Sequence, residues 1–148
     1  MDADHILAVS KEYMKEGDPV YIATDEKDRK FFKPLTDYYD VKFLDDFLNE
    51  DHVLKNVNKN YYGMIEQIVA ANGETFIGTW WSTFTGYINR MRGYMGRVDR
   101  SHYYPKNFKN EMQKWVEPNG GGWWREWPTG WTDIDIPYKH EGYATQLE

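Results

Sequence analysis

Three short apolar runs, residues 20–24 (VYIAT), 41–44 (VKFL) and 75–78 (TFIG), are spaced along a chain of 148 residues, and a segment of helical periodicity precedes each of them. That alternation narrows the possible folds more than any other feature. Ile6, Leu7, Ser10, Tyr13 and Met14 recur at helical intervals and are closed off by Gly17-Asp18-Pro19. Phe31, Phe32, Leu35 and Tyr38 mark the next helix, with Pro34 kinking it or setting its effective start. Met64, Ile65, Ile68 and Val69 mark a third, stopped by Asn72-Gly73, and residues 83–91 a fourth, with Phe84, Tyr87, Ile88 and Met91 on its apolar side. The polar stretch 45–62 reads as loop with at most a turn of helix. The order α-β-α-β-α-β-α predicts an α/β fold: a short parallel sheet with flanking helices.

The alternation ends after Arg92. The remaining residues are rich in aromatics, glycine and proline, with Gly120-Gly121-Gly122 and then Trp123, Trp124, Trp127 and Trp131. The chain therefore divides into an α/β domain over residues 1–98 and an irregular, Trp-rich C-terminal extension over 99–148 that packs on it. A hydrophobic content of 41% supplies enough apolar mass for a core of one domain. The net charge of −6 argues against nucleic acid or an anionic membrane as partner, so an anionic ligand would need a local site. With no cysteine there is no disulfide framework, thiol nucleophile or cysteine zinc site, and His5, His52, His102 and His140 have no metal-ligand spacing. The N-terminal residues carry acids before a broken apolar run, which fits neither a signal peptide nor a membrane span.

Ligands of open α/β sheets bind beyond the carboxyl ends of the strands, where helix N-termini present free amides. Residues 79–83 hold that position after the third run, with Thr79, Ser82 and Thr83 supplying hydroxyls. They could cradle a phosphate without metal or lysine, or Ser82 or Thr83 could simply cap the helix. Arg90 and Arg92 suit the C-terminal end of the same helix, where cations complement its dipole. Asp25 and Glu26, at the end of the first run, could bind a sugar hydroxyl or start a helix. Glu66, within MIEQIV, either faces solvent or reaches toward a base edge. No phosphate loop, dinucleotide fingerprint or nucleophile elbow is present.

VYIATDE, GMIEQIV and TFIGTWWSTFTGYINRMR, in that order and spacing, resemble the nucleotide-sugar half of the GDP-fucose protein O-fucosyltransferases. More distantly they are similar to the α1,6-fucosyltransferases. The resemblance covers Val20 to Arg92. It implies the Rossmann-like half of a GT-B glycosyltransferase, which uses GDP-fucose as donor without a metal or other cofactor and passes fucose to a protein Ser/Thr hydroxyl. On this reading Ser82, Thr83 and Phe84, beside Thr79, match the diphosphate contacts. Glu66 matches the acidic position that meets guanine, where the family usually has Asp, and Asp25 matches an acidic residue near the donor. Arg90 and Arg92 match an Arg-x-Arg of supporting role. No residue matches the family's catalytic arginine in a His-x-Arg element, and the resemblance leads us to expect a truncated chain whose N-terminal acceptor domain is missing. The resemblance thus implies a segment that binds donor but lacks its own catalytic group. Family members act in the endoplasmic reticulum or Golgi lumen, but this chain carries no feature that assigns a compartment. A different reading makes Trp123, Trp124, Trp127 and Trp131 a stacking platform of a non-catalytic carbohydrate-binding module.

Overall fold

The computed structural model describes residues 2–48, 53–79, 82–97 and 100–103. These fall into two compact units, Met1–Ala70 and Ala71–Glu148. Beyond residue 103, the expected Trp-rich extension lies outside the described residues.

In the first unit, helix α1 (Ala3–Ser10) starts where the Asp2 side chain accepts the His5 amide at 2.9 Å, which satisfies one orphan donor of the first turn. The expected run to Met14 breaks at Ser10. Its Oγ donates to the Leu7 carbonyl at 3.0 Å, so the Tyr39 phenol is the donor in the 2.9 Å contact between the two hydroxyls. Turns come next, and Gly17 reverses the chain at φ +81°, a conformation open to glycine at little cost. Strand β1 (Pro19–Tyr21) pairs in parallel with β2 (Asp40–Lys42), Val20 opposite Val41. Between them lie a 3-10 turn, Arg29–Phe32, and the single-turn helix α2 (Lys33–Thr36), with Pro34 in its first turn, where the missing N–H is harmless.

α1 and α2 pack together over the strand pair, and Ala3, Phe32, Leu35, Tyr39 and Phe43 form the core. Phe32 meets Phe43 at 5.3 Å between ring centroids and Phe31 edge-on at 4.9 Å. Rings of this size contribute about 1.5–3 kcal/mol each on burial, which makes this cluster the main source of the unit's stability. Short 3-10 turns occupy Leu44–Phe47, Val53–Asn56 and Lys59–Tyr61 before α3 (Tyr62–Asn72).

In the second unit, β3 (Phe76–Gly78) pairs in parallel with β4 (Ser101–Tyr103), and α4 (Thr83–Tyr94) lies between them in sequence. Sequence patterning predicts three strands in one sheet. The described residues instead contain four strands in two parallel pairs, because Ser101–Tyr103 adds a strand where no apolar run announces one.

The faces of two helices also differ from expectation. α4 buries Thr85, Ile88, Asn89 and Arg92, spaced i, i+3, i+4, i+7, while Tyr87 is 57% exposed. α3 leaves Met64, Ile68 and Val69 exposed, and Glu66 is half-buried. In both helices a polar side chain with a definite partner faces inward in place of part of the apolar stripe. Among the described residues no helix is long and apolar enough to cross a membrane.

Candidate functional site

The parallel pairing of β1 and β2 sends both strands out at the same edge of the first unit. Beyond that edge lies a cleft of about 230 Å³. Ile22, Thr24 and Asp25 line it from the chain leaving β1, Phe43, Leu44 and Asp45 from the chain leaving β2, and Glu66 from α3. The Ile22 amide still donates to Lys42 O at 2.9 Å, so the ladder holds the first wall up to the cleft. Local turns fix the next residues: the Thr24 hydroxyl accepts the Glu26 amide at 3.1 Å, and the Glu26 carboxylate accepts the Asp28 amide at 2.8 Å.

Arg29 closes one side. Its guanidinium donates to Asp45 Oδ2 at 2.6 Å and stands 3.9 Å from the centroid of the Phe43 ring. The Tyr21 phenol donates to Glu66 Oε1 at 3.0 Å. Burial pushes the Glu66 carboxyl above its ordinary value, and the Asp45 charge adds to this. The Tyr21 hydrogen bond and the Lys27 cation oppose the rise. Burial and the Glu66 carboxylate together push the Tyr21 phenol well up, so it remains a hydrogen-bond donor throughout the physiological range.

Three carboxylates (Asp25, Asp45, Glu66) thus face two cations, one of which, Arg29, is committed to Asp45. Such a lining suits a ligand edge rich in N–H or O–H donors. It does not suit a phosphate, which the carboxylates would repel. Sequence reasoning found Asp25 and Glu66 but not Tyr21, Lys27, Arg29 or Asp45. Asp45 could have been found, since it follows the second apolar run as Asp25 follows the first.

The second unit holds the other expected residues. Ser82 is the N-cap of α4: its backbone is extended, its Oγ accepts the Thr85 amide at 3.3 Å, and its carbonyl accepts the Gly86 amide at 2.9 Å. Thr83 is exposed as the first helical residue and Phe84 is half-buried. Thr79 Oγ1 lies 3.4 Å from Thr85 Oγ1. No acidic residue occupies the first turn of α4, so nothing there offsets the positive end of its dipole. Gly78 sets how closely β3 approaches this turn. A Cβ there would fall 2.5 Å from Thr85 Cγ2 and 2.9 Å from the Phe76 ring. Capping of α4 by Ser82 is therefore observed. The cap bond leaves the hydroxyl proton and the Thr83 side chain available to an anion.

Arg92 has a role that its position near the end of α4 does not suggest. It is fully buried. Its Nε donates to Ser101 Oγ at 2.6 Å, Nη1 to the carbonyls of Ala71 and Gly73, and Nη2 to those of Glu74, Arg97 and Arg100. Ala71 belongs to the last turn of α3, whose own sequence supplies no basic residue there. Arg97 adds its guanidinium to the Asn72 carbonyl. Cations from α4 and the chain beyond it thus satisfy carbonyls that the end of α3 leaves open. Among the described residues no group of three or more histidines, aspartates or glutamates is placed to hold a metal ion.

A family model described as GDP-fucose protein O-fucosyltransferase matches residues 1–95. That span covers every described residue of both candidate regions. No curated protein and no solved structure matches the chain.

Proposed function

Because the chain belongs to the GDP-fucose protein O-fucosyltransferase family, we propose that it binds GDP-fucose for transfer of fucose to a protein Ser/Thr hydroxyl. The fold proposed for it is the Rossmann-like half of a GT-B glycosyltransferase. The observation that carries this reading is the carboxylate-lined cleft at the carboxyl ends of β1 and β2, with Glu66 half-buried and held by a hydrogen bond. An ionised carboxylate in such a site accepts the N1–H and N2–H donors that distinguish guanine from adenine, and the role proposed for Asp25, which lines the same cleft, is to accept from a sugar hydroxyl.

The second unit, taken by itself, offers the chemistry that a diphosphate requires. Thr79, Ser82, Thr83 and Phe84 belong to the start of α4, where amides and hydroxyls meet the positive end of the helix dipole. In the transfer, the bond from fucose C1 to the diphosphate oxygen breaks and a bond from C1 to the acceptor oxygen forms. The acceptor loses its proton and GDP leaves. Helix amides and hydroxyls can stabilise that leaving diphosphate without a metal. No catalytic residue is assigned in this chain.

Calorimetric titration of the full chain with GDP, ADP and guanosine tests the assignment. Glu66→Ala is expected to abolish the preference for GDP over ADP. Ser82→Ala is expected to weaken GDP while leaving guanosine unchanged. Equal binding of GDP by the parent and both variants would reject the site.

A further inference from the structure

Tyr21 lies within VYIATDE, where the sequence gives it no role, yet its hydroxyl makes the one hydrogen bond seen on Glu66 among the described residues, reaching across 45 positions of the chain at 3.0 Å. The two ends of that bond differ in rigidity. Tyr21 closes β1, where it stands in register with Lys42 of β2, and its ring lies 6.2 Å from that of Phe47. Glu66 projects from α3 on a flexible stem, and ordering such a side chain costs rotamer entropy. A phenol on a strand is therefore a fixed point to which a mobile carboxylate is tied. A carboxylate offers about four lone-pair sites. The phenol takes one of them, so two more N–H donors can still be accepted.

The charges around the pair are Asp45 and Asp46 from the chain after β2, and Asp25, Lys27 and the Asp45-bound Arg29 from the chain after β1. Acids predominate near Glu66 and, with burial, favour its protonated form. The Tyr21 hydrogen bond favours the ionised form. Tyr21 is thus placed to do two things at once: to orient the carboxylate and to keep it an acceptor.

We propose that Tyr21 is a positioning residue for nucleotide recognition, its hydroxyl holding the Glu66 carboxylate in the orientation that accepts both N–H donors of a guanine edge. The inference rests on the reading of Glu66 as the guanine-binding residue and extends it to a residue that touches the ligand only through another. It also accounts for a glutamate serving where the longer stem would otherwise leave the carboxylate loosely placed.

The test is Tyr21→Phe, which removes one oxygen and keeps the ring, titrated with GDP and with inosine diphosphate (which lacks the 2-amino donor) between pH 5.5 and 8. Loss of a hydrogen bond to an ionised carboxylate, about 1.5–3 kcal/mol, predicts about ten- to a hundredfold weaker GDP binding at neutral pH. The GDP-to-IDP preference is expected to narrow. The acid limb of GDP affinity is expected to move to higher pH relative to the parent, because Glu66 loses the bond that favours its ionised form. In a Glu66→Asp background, whose shorter side chain falls short of the phenol, Tyr21→Phe is expected to add nothing.

Parental affinity and an unmoved acid limb in Tyr21→Phe would overturn the proposal. So would equal losses for GDP and IDP, which would mark a purely structural role. If Glu66→Ala binds GDP as the parent does, the reading of Glu66 itself fails. If Glu66→Ala weakens binding and Tyr21→Phe does not, only the role of Tyr21 fails.

Discussion

Replacing Arg92 by methionine removes the guanidinium while keeping a side chain of similar length. Arg92 is 0% exposed and donates to Ser101 Oγ and to five backbone carbonyls. A guanidinium has five N–H groups, so six acceptors require one N–H to be shared, and the 3.4 Å contact to Arg97 O is the weakest member. At about 1.5–3 kcal/mol for each bond to a charged donor, the gross strength of the set would rival the total stability of a typical domain, about 5–15 kcal/mol. Most of it must therefore offset the cost of taking the charge out of water, which is several kcal/mol. Truncation removes the guanidinium from the Ala71, Glu74 and Arg100 carbonyls, while those of Gly73 and Arg97 keep bonds from Arg97 Nη1 and Ser101 Oγ, and the expected loss is about 3–5 kcal/mol. Arg92→Lys keeps the charge but has three donors from a single point, and is expected to recover less than half of that loss.

Urea unfolding followed by far-UV circular dichroism measures the difference. Hydrogen exchange should show protection lost first across residues 71–79 and 83–97, the segments that Arg92 joins. A methionine variant within about 1 kcal/mol of the parent, the size of one ordinary hydrogen bond, would refute this account. It would mean that water or a rearranged main chain serves those carbonyls equally well.

Gly78→Ala forces a methyl to within 2.5 Å of Thr85 Cγ2 and should cost about 1–3 kcal/mol by overpacking. Thr85→Ser, which removes that methyl, should restore part of the loss in thermal melts, and a melt unchanged by Gly78→Ala would show that β3 and α4 separate freely. Ser82→Ala should lower stability by about 1 kcal/mol through loss of the α4 cap; a variant that melts with the parent would show that the 3.3 Å bond contributes nothing. Glu66 predicts a pH dependence whose sign is fixed. Its folded-state pKa lies above the ordinary 4.5, so its contribution to stability is complete below 4.5 and is lost as pH rises through the folded value. Glu66→Gln cannot ionise and should therefore be the more stable chain at pH 7, with the gap closing toward pH 4. A gap that does not change with pH would contradict the assigned shift.

Sequence alone determined the features that depend on residues within about four positions of one another. The stop of α3 at Asn72 was read from such neighbours, whereas Ser82 or Thr83 as cap and Pro34 as kink or helix start stayed open in the sequence until the fold put Ser82 at the N-cap and Pro34 in a first turn. The alternation of apolar runs with helical segments was legible for the same reason, and it placed Thr79, Ser82 and Thr83 at a helix's start; Asp25, expected at a strand's end, lies beyond Tyr21, where β1 stops.

Tertiary structure decided which strands pair and which faces of the helices turn inward. Ser101–Tyr103 becomes a strand only because β3 offers it an unpaired edge, and no periodicity survives in three residues. Glu66 and Arg92 face inward against the apolar pattern because Tyr21, 45 residues away, and the carbonyls from Ala71 to Arg100 supply the partners that a buried charge requires. Those partners lie far off in sequence. A local pattern can therefore mark Glu66 and Arg92 as unusual, but only the folded chain shows that one is tied to a strand-borne phenol and the other joins the end of α3 to the start of β4.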